Sequence, residues 1–157
     1  LRIPIGVGLS VVLLGEAEGG SRDAYFRERG RANARRLMDA GLYQQLSFIE
    51  RWTETLPKGR AEGADLVWGF LKNLRLVVTL AKSIYSVGAW NAEPDPESER
   101  RVVIDVREAA DYSEPMRLAA EGFLNQSGNL GFDLFSSQRV EPALIRFRMT
   151  VDVADLR

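Results

Sequence analysis

Ile145-Arg146-Phe147-Arg148-Met149-Thr150-Val151-Asp152-Val153 sets an apolar side chain at every second position and a polar one between. A period of two belongs to a strand with one buried face, because successive side chains leave a strand on opposite sides. This stretch decides between an α+β fold and an all-helical one, since helical patterns fill most of the chain before it. Just upstream, Leu130, Phe132 and Leu134 alternate with Gly131, Asp133 and Phe135, which reads as a second strand. Ser136 to Pro142 then reads as the loop that closes an antiparallel hairpin. At the other end, Ile3, Ile5, Val7, Leu9, Val11 and Leu13 share one face, with Arg2, Pro4, Gly6, Gly8, Ser10 and Val12 on the other. That third alternation predicts an N-terminal strand joining the hairpin, with Pro4 and the glycines favouring an edge. The same Ile3–Leu14 run also resembles the remnant of a signal h-region, too short to span a bilayer as a helix.

Between these ends the period lengthens. Gly15 to Gly20 reads as a flexible loop and Ser21 as an N-cap. From Asp23 to about Leu56, Ala34, Leu37, Met38, Leu42, Leu46, Ile49, Trp52 and Leu56 recur at three- and four-residue steps, one face of a long helix. Gly30 and Gly41 weaken it by about 1 kcal/mol each against Ala, and a break at Gly41 fits the pattern. Pro57, Gly59 and Gly63 make the turn. A second long helix is expected from Asp65 to about Trp90, with Val67, Phe70, Leu71, Leu74, Val77, Val78, Ala81, Ile84 and Tyr85 on a wide apolar face and a narrow polar stripe of Lys72, Arg75, Thr79, Lys82, Ser83 and Ser86. The short turn implies an antiparallel helical hairpin.

Asn91 to Arg101, with Pro94 and Pro96, reads as an exposed loop. Asp95-Pro96-Glu97 resembles a helix start, and Val102, Val103, Val106, Ala109 and Ala110 fit the face of a third helix; Val102-Val103-Ile104 fits a strand equally, and helix is favoured. Ser113-Glu114-Pro115 opens another helix carrying Met116, Leu118, Ala119, Ala120, Phe123 and Leu124. The expected architecture is α+β: the helical hairpin and shorter helices packed on a small antiparallel sheet made of the N-terminal strand and the C-terminal hairpin, in a single domain, 1–157. The alternative is a mainly α four-helix bundle.

Composition narrows the chemistry. The 157 residues carry 45% apolar and 27% charged side chains, which fits a chain able to bury a core without a disulfide or metal. Cations and anions nearly cancel, 21 against 22, so no global field draws nucleic acid or an anionic membrane. No partner of those kinds is expected from net charge, and no segment elsewhere has transmembrane character. Cysteine is absent, which removes disulfides and thiolate metal sites. Histidine is absent too, which removes the commonest general base, nucleophile activator and nitrogen ligand. No catalytic residue, cofactor site or metal site is therefore assigned, and an enzyme is the less favoured reading. A chain that begins at Leu1 reads as processed or trimmed, which leaves the compartment open.

Three groups of residues remain as candidates. Arg27, Arg29, Arg31, Arg35 and Arg36 lie within ten residues, and Arg27, Arg31 and Arg35 are spaced one turn apart. Guanidinium groups so placed fork onto carboxylates, phosphates or lipid headgroups; alternatively they form a solvated face paired with nearby acids, the favoured case. Asp105, Glu108 and Asp111, and Glu50 with Glu54, would line acidic stripes if helical; solvation is again favoured over Mg²⁺ or Ca²⁺ binding. Among the tryptophans, Trp68 is assigned to the core, while Trp52 and Trp90 lie near helix ends, where aromatics with a polar handle serve interfaces. The partner-binding candidates are Arg27, Arg31, Arg35, Arg36, Trp52 and Trp90.

Trp68-Gly69-Phe70-Leu71-Lys72-Asn73-Leu74-Arg75-Leu76, preceded by Phe48-Ile49-Glu50-Arg51, resembles a stretch of the PsbQ-type extrinsic subunits of photosystem II. The resemblance covers about two helices. It implies a four-helix bundle and a lumenal, non-catalytic subunit, and it transfers no functional residue. The functional expectation is a non-catalytic protein-binding domain or peripheral subunit of a larger, membrane-associated complex. The alternatives are a module that binds a small apolar ligand, lipid or pigment between helices and sheet, the PsbQ-like subunit, and a carboxylate-based enzyme.

Overall fold

A computed structural model describes residues 15–42, 47–56, 62–85 and 88–156. The described elements are α1 (Gly15–Leu37), α2 (Phe48–Thr55), α3 (Ala64–Ile84), β1 (Ala89–Pro94), β2 (Val102–Arg107), α4 (Glu114–Gly128), β3 (Phe135–Glu141) and β4 (Leu144–Met149). A 3₁₀ turn, Val153–Leu156, follows β4. The fold is α+β, with a four-stranded antiparallel sheet in the order β1-β2-β4-β3. A sheet of this kind has no place in a four-helix bundle. The strand expected at residues 1–14 lies outside the described residues, and the sheet takes its other strands from the middle of the chain.

Those middle strands replace two expected elements. Residues 102–107 are a strand, not a third helix, and Val102, Val103, Ile104, Asp105 and Val106 are all buried. β-branched side chains are stiff at χ1 and crowd a helix, whereas a central strand, here paired with a neighbour on each edge, accepts them on both faces. The second long helix stops at Ile84, short of Trp90. Gly88 turns the chain with φ 87°, and a Cβ there would lie 2.7 Å from the Arg107 carbonyl oxygen. Trp90 then stacks on Phe147 across the sheet at 5.6 Å and donates to the Tyr85 carbonyl at 3.1 Å. The segment read as a loop, Asn91–Arg101, is therefore partly strand.

The C-terminal hairpin exists with a different register. β3 occupies Phe135–Glu141, the stretch expected to be the connecting loop, and the chain turns at Pro142 and Ala143. Its composition hid it, since Ser136, Ser137, Gln138 and Arg139 have no alternating apolar signal. β4 ends at Met149, before the alternation does, although the Thr150 N–H still donates to the Leu134 carbonyl at 2.7 Å, one step on in the same register.

One face of the sheet carries Trp90, Ile104, Val106, Ile145 and Phe147 against α3 and α4, and these residues share a core with Phe48, Trp52, Phe70 and Phe123. α2 and α3 form a helical hairpin in which the Trp52 and Phe48 rings meet Phe70 edge-on at 5.3 and 5.5 Å. α1 lies elsewhere. It begins at Gly15, where a loop was expected, and Glu16, Ala17 and Glu18 favour helix at an N-terminus. It ends in a wide turn, Met38–Leu42, where Gly41 takes φ 93° and breaks the single long helix. α1 packs along α4 rather than α3.

Two glycines permit that packing. A Cβ on Gly30 would stand 1.7 Å from the Ala119 carbonyl oxygen, and one on Gly122 would stand 1.9 Å from the Arg27 carbonyl oxygen. The two backbones thus touch where each helix lacks a side chain. Gly30 weakens α1 as an isolated helix and is required by its packing.

α4 also closes one edge of the sheet. Asn125 accepts from the Phe135 N–H at 2.7 Å and donates to the Phe135 carbonyl at 3.0 Å, as a neighbouring strand would. One helical turn earlier, Glu121 accepts from the Ser137 N–H at 2.9 Å, and Arg117 donates to the Ser137 carbonyl at 2.8 Å. Residues 117, 121 and 125 share a helix face, so α4 supplies side-chain partners to β3 and blunts an edge otherwise open to another chain. Asn125 also begins the Asn125-Gln126-Ser127 triplet that matches a glycosylation signal, yet its amide is buried in this contact.

Candidate functional site

The sequence-derived candidates turn out to be ties within the fold and core residues. Arg27 donates to Glu121 at 2.6 Å, and Glu121 is 4% exposed. Arg31 pairs with Asp133 at 2.7 Å. Arg35 pairs with Glu28 and reaches Gln126 at 3.2 Å, and Arg36 donates to Asn33. The four arginines named as partner-binding are therefore engaged within the fold, and Arg27, Arg31 and Arg35 fasten α1 to α4 and the chain after it. Arg27, Arg31 and Arg35 pair with acids, whereas the partner of Arg36 is the Asn33 amide oxygen.

The acidic stripe does not form. Asp105 is on β2, while Glu108 and Asp111 are exposed in the turn that follows. Among the described residues, no group of three or more His, Cys, Asp or Glu side chains is placed to hold a metal ion. Asp105 is fully buried on the sheet face opposite the helices, where Arg146 donates to it at 2.6 and 3.0 Å. That bond raises the Arg146 pKa above its ordinary value, against the opposing effect of burial. Arg107 stands 3.4 Å from the same carboxylate, so loss of Arg146 would leave buried Asp105 with only that longer contact, a costly state for a charge without solvent.

Trp52 is fully buried and Trp90 only 9% exposed, so both candidate interface tryptophans are core residues. Trp68 is the reverse: assigned to the core from its sequence, it is 53% exposed. It lies on the outer face of α3, where the Arg75 guanidinium stands 5.9 Å from its ring centre. Arg75 also donates to the Ala92 carbonyl at 3.2 Å, which fixes it between helix and sheet edge.

Leu76 is exposed on the same helix, followed at four-residue steps by half-buried Leu80 and exposed Ile84. Beside Leu76, Thr79 and Leu80, Arg51 of α2 completes a surface depression of about 370 Å³. The Arg51 Nε is buried and has no hydrogen-bond partner among the described residues. Lys72 and Lys82 are exposed on α3 and form no ion pair among the described residues. The outer face of α3 is thus an apolar strip among cations.

Sequence reasoning missed Trp68, Leu76 and Arg51 as surface residues. A signal was present for two of them. Trp68 and Leu76 each stand four residues from Lys72, in phase with the polar stripe and not with the apolar face. Large apolar side chains on a polar stripe are the readable mark of an exposed patch. Nothing local marked Arg51, whose place depends on how α2 meets α3.

No family model, curated protein or solved structure matches the chain. The bundle implied by the PsbQ-type resemblance is not the fold found here. No helix among the described residues is long and apolar enough to cross a membrane.

Proposed function

We propose that the chain is a protein-binding module that receives its partner on the outer face of α3. The observation that carries this reading is the distribution of exposed apolar side chains. Among the described residues, the large exposed ones are Tyr25, Trp68, Leu76, Ile84 and Phe132, and three of these five are on α3. A soluble surface that gathers apolar groups on one element with a charged border has the make-up of an interface. Tryptophan and arginine are the residues most enriched where binding energy concentrates, and Trp68 and Arg75 supply both. The helix is held from behind by the core, so its outer face is presented without reorganisation.

The test is site-specific photocrosslinking in the cells that make the protein, with the photoreactive residue at position 76 and, as control, at Gln138 on the opposite face of the sheet. A protein crosslinked from position 76 and absent from the control is expected. Its purified form should lose about tenfold or more in affinity for Leu76→Ser or Trp68→Ser, the scale of a binding hot spot. Equal crosslinking at both positions, or binding untouched by both substitutions, refutes the reading.

A further inference from the structure

If α3 is the docking face, its chemistry selects one class of partner. The exposed polar positions of the helix are Asp65 at its start and then Lys72, Arg75, Thr79, Lys82 and Ser83, so beyond the first turn every charge is positive. The depression beside Leu76, Thr79 and Leu80 has Arg51 as its charged wall. Glu50 and Glu54 are exposed on α2, but neither is paired with Arg51. The Arg51 Nε is buried and has no hydrogen-bond partner among the described residues. Arg51 forms no ion pair among the described residues, so its charge in the wall of the depression is uncompensated, and carboxylate is the acceptor whose geometry a guanidinium matches.

We infer that the face takes an acidic amphipathic segment of a partner protein, its apolar side chains seated on Trp68, Leu76 and Leu80 and one of its carboxylates on Arg51. Lys72 and Lys82 border the same strip and attract the remaining acidic residues, which raises the association rate more than the affinity. A basic segment would place like charges against Arg51, Lys72, Arg75 and Lys82 and is selected against. The inference rests on the docking face proposed above, so its test must separate the two.

The experiment is selection of displayed random peptides on the folded domain, followed by affinity measurement of synthetic winners against four variants: Leu76→Ser, Trp68→Ser, Arg51→Gln and Arg51→Lys. Circular dichroism of each variant confirms that it is folded. Winners that lose binding to Leu76→Ser or Trp68→Ser identify the α3 face. Among these, enrichment in Asp and Glu beside Leu, Phe or Trp is expected, with about tenfold weaker binding to Arg51→Gln, the worth of one charge-assisted hydrogen bond. Arg51→Lys should recover part of that loss by keeping the charge. Face-binding winners that are neutral or basic, or that ignore Arg51→Gln, overturn the acidic partner while leaving the docking face in place. Winners that all ignore Leu76→Ser and Trp68→Ser overturn the docking face, and this inference with it.

Discussion

Replacing Gly30 by Ala tests whether the α1–α4 contact governs stability more than helix propensity does. Propensity alone favours the change by about 1 kcal/mol, since Gly is that much poorer than Ala inside a helix. The contact opposes it. The added methyl would stand 1.7 Å from the Ala119 carbonyl oxygen, where non-bonded atoms need roughly 3.5 Å. The helices must part by about 1.5–2 Å, and a gap of that size forfeits much of the dispersion between the surfaces around it. Forcing a methyl into a filled interior costs about 1–3 kcal/mol. Parting also stretches the 2.6 Å bond from Arg27 to buried Glu121. The expected net loss is about 1–2 kcal/mol, and the same for Gly122→Ala, whose methyl would meet the Arg27 carbonyl oxygen at 1.9 Å.

Urea unfolding followed by circular dichroism measures these losses. Two comparisons sharpen the result. Gly20 is also in α1, and a Cβ there meets nothing within 4 Å, so Gly20→Ala should stabilise by about 0.5–1 kcal/mol. The double variant of Gly30 and Gly122 should cost clearly less than the sum of the singles, because one separation relieves both clashes. If Gly30→Ala instead gains as much stability as Gly20→Ala, the helices do not meet at these glycines and the reasoning is wrong.

Asn125→Ala should cost about 1–3 kcal/mol in the same assay, since the Phe135 N–H and carbonyl lose their buried partners; sedimentation should also show self-association as the β3 edge opens, and an unchanged stability would show that the edge needs no such cover. Tyr112 and Tyr85 have phenol pKa values raised by burial, the hydrogen bond from Asn33 opposing the rise at Tyr85. A folded-state value above the unfolded one of about 10 means that the unfolded chain loses these protons first, so stability is level below about pH 10 and falls above it. Tyr112→Phe should lessen that alkaline slope and lose about 1 kcal/mol at neutral pH with the bond to the Tyr85 carbonyl; a slope equal to the parent's would exclude Tyr112 as its source.

What was legible in the chain was whatever depends on neighbours in sequence. The period-two run through Phe147 and Met149, the three- and four-residue steps through Phe70, Leu74 and Val78, the Ser113 cap and the break at Gly41 all report a single element's own geometry, and from them the α+β class follows. The candidate surface was half-legible in the same way, as Trp68 and Leu76 out of phase with the buried face of α3. Only the tertiary structure decided the rest. β3 is a strand because Arg117, Glu121 and Asn125 of another element satisfy its polar backbone, and no residue within it announces that. Residues 102–107 are a strand because β1 and β4 pair with both of its edges and bury it in the middle of the sheet, a condition set by other parts of the chain. Gly30 reads as a defect in one helix and becomes a requirement when a second helix lies against it. The arginines of α1 read as a face paired with unspecified acids, and only the fold names Glu121 and Asp133 among them; Arg51 reads as one more helical cation until the packing of α2 on α3 buries its Nε without a partner among the described residues. Short-range periodicity is written in single residues, whereas burial, pairing and close approach are properties of pairs far apart in sequence.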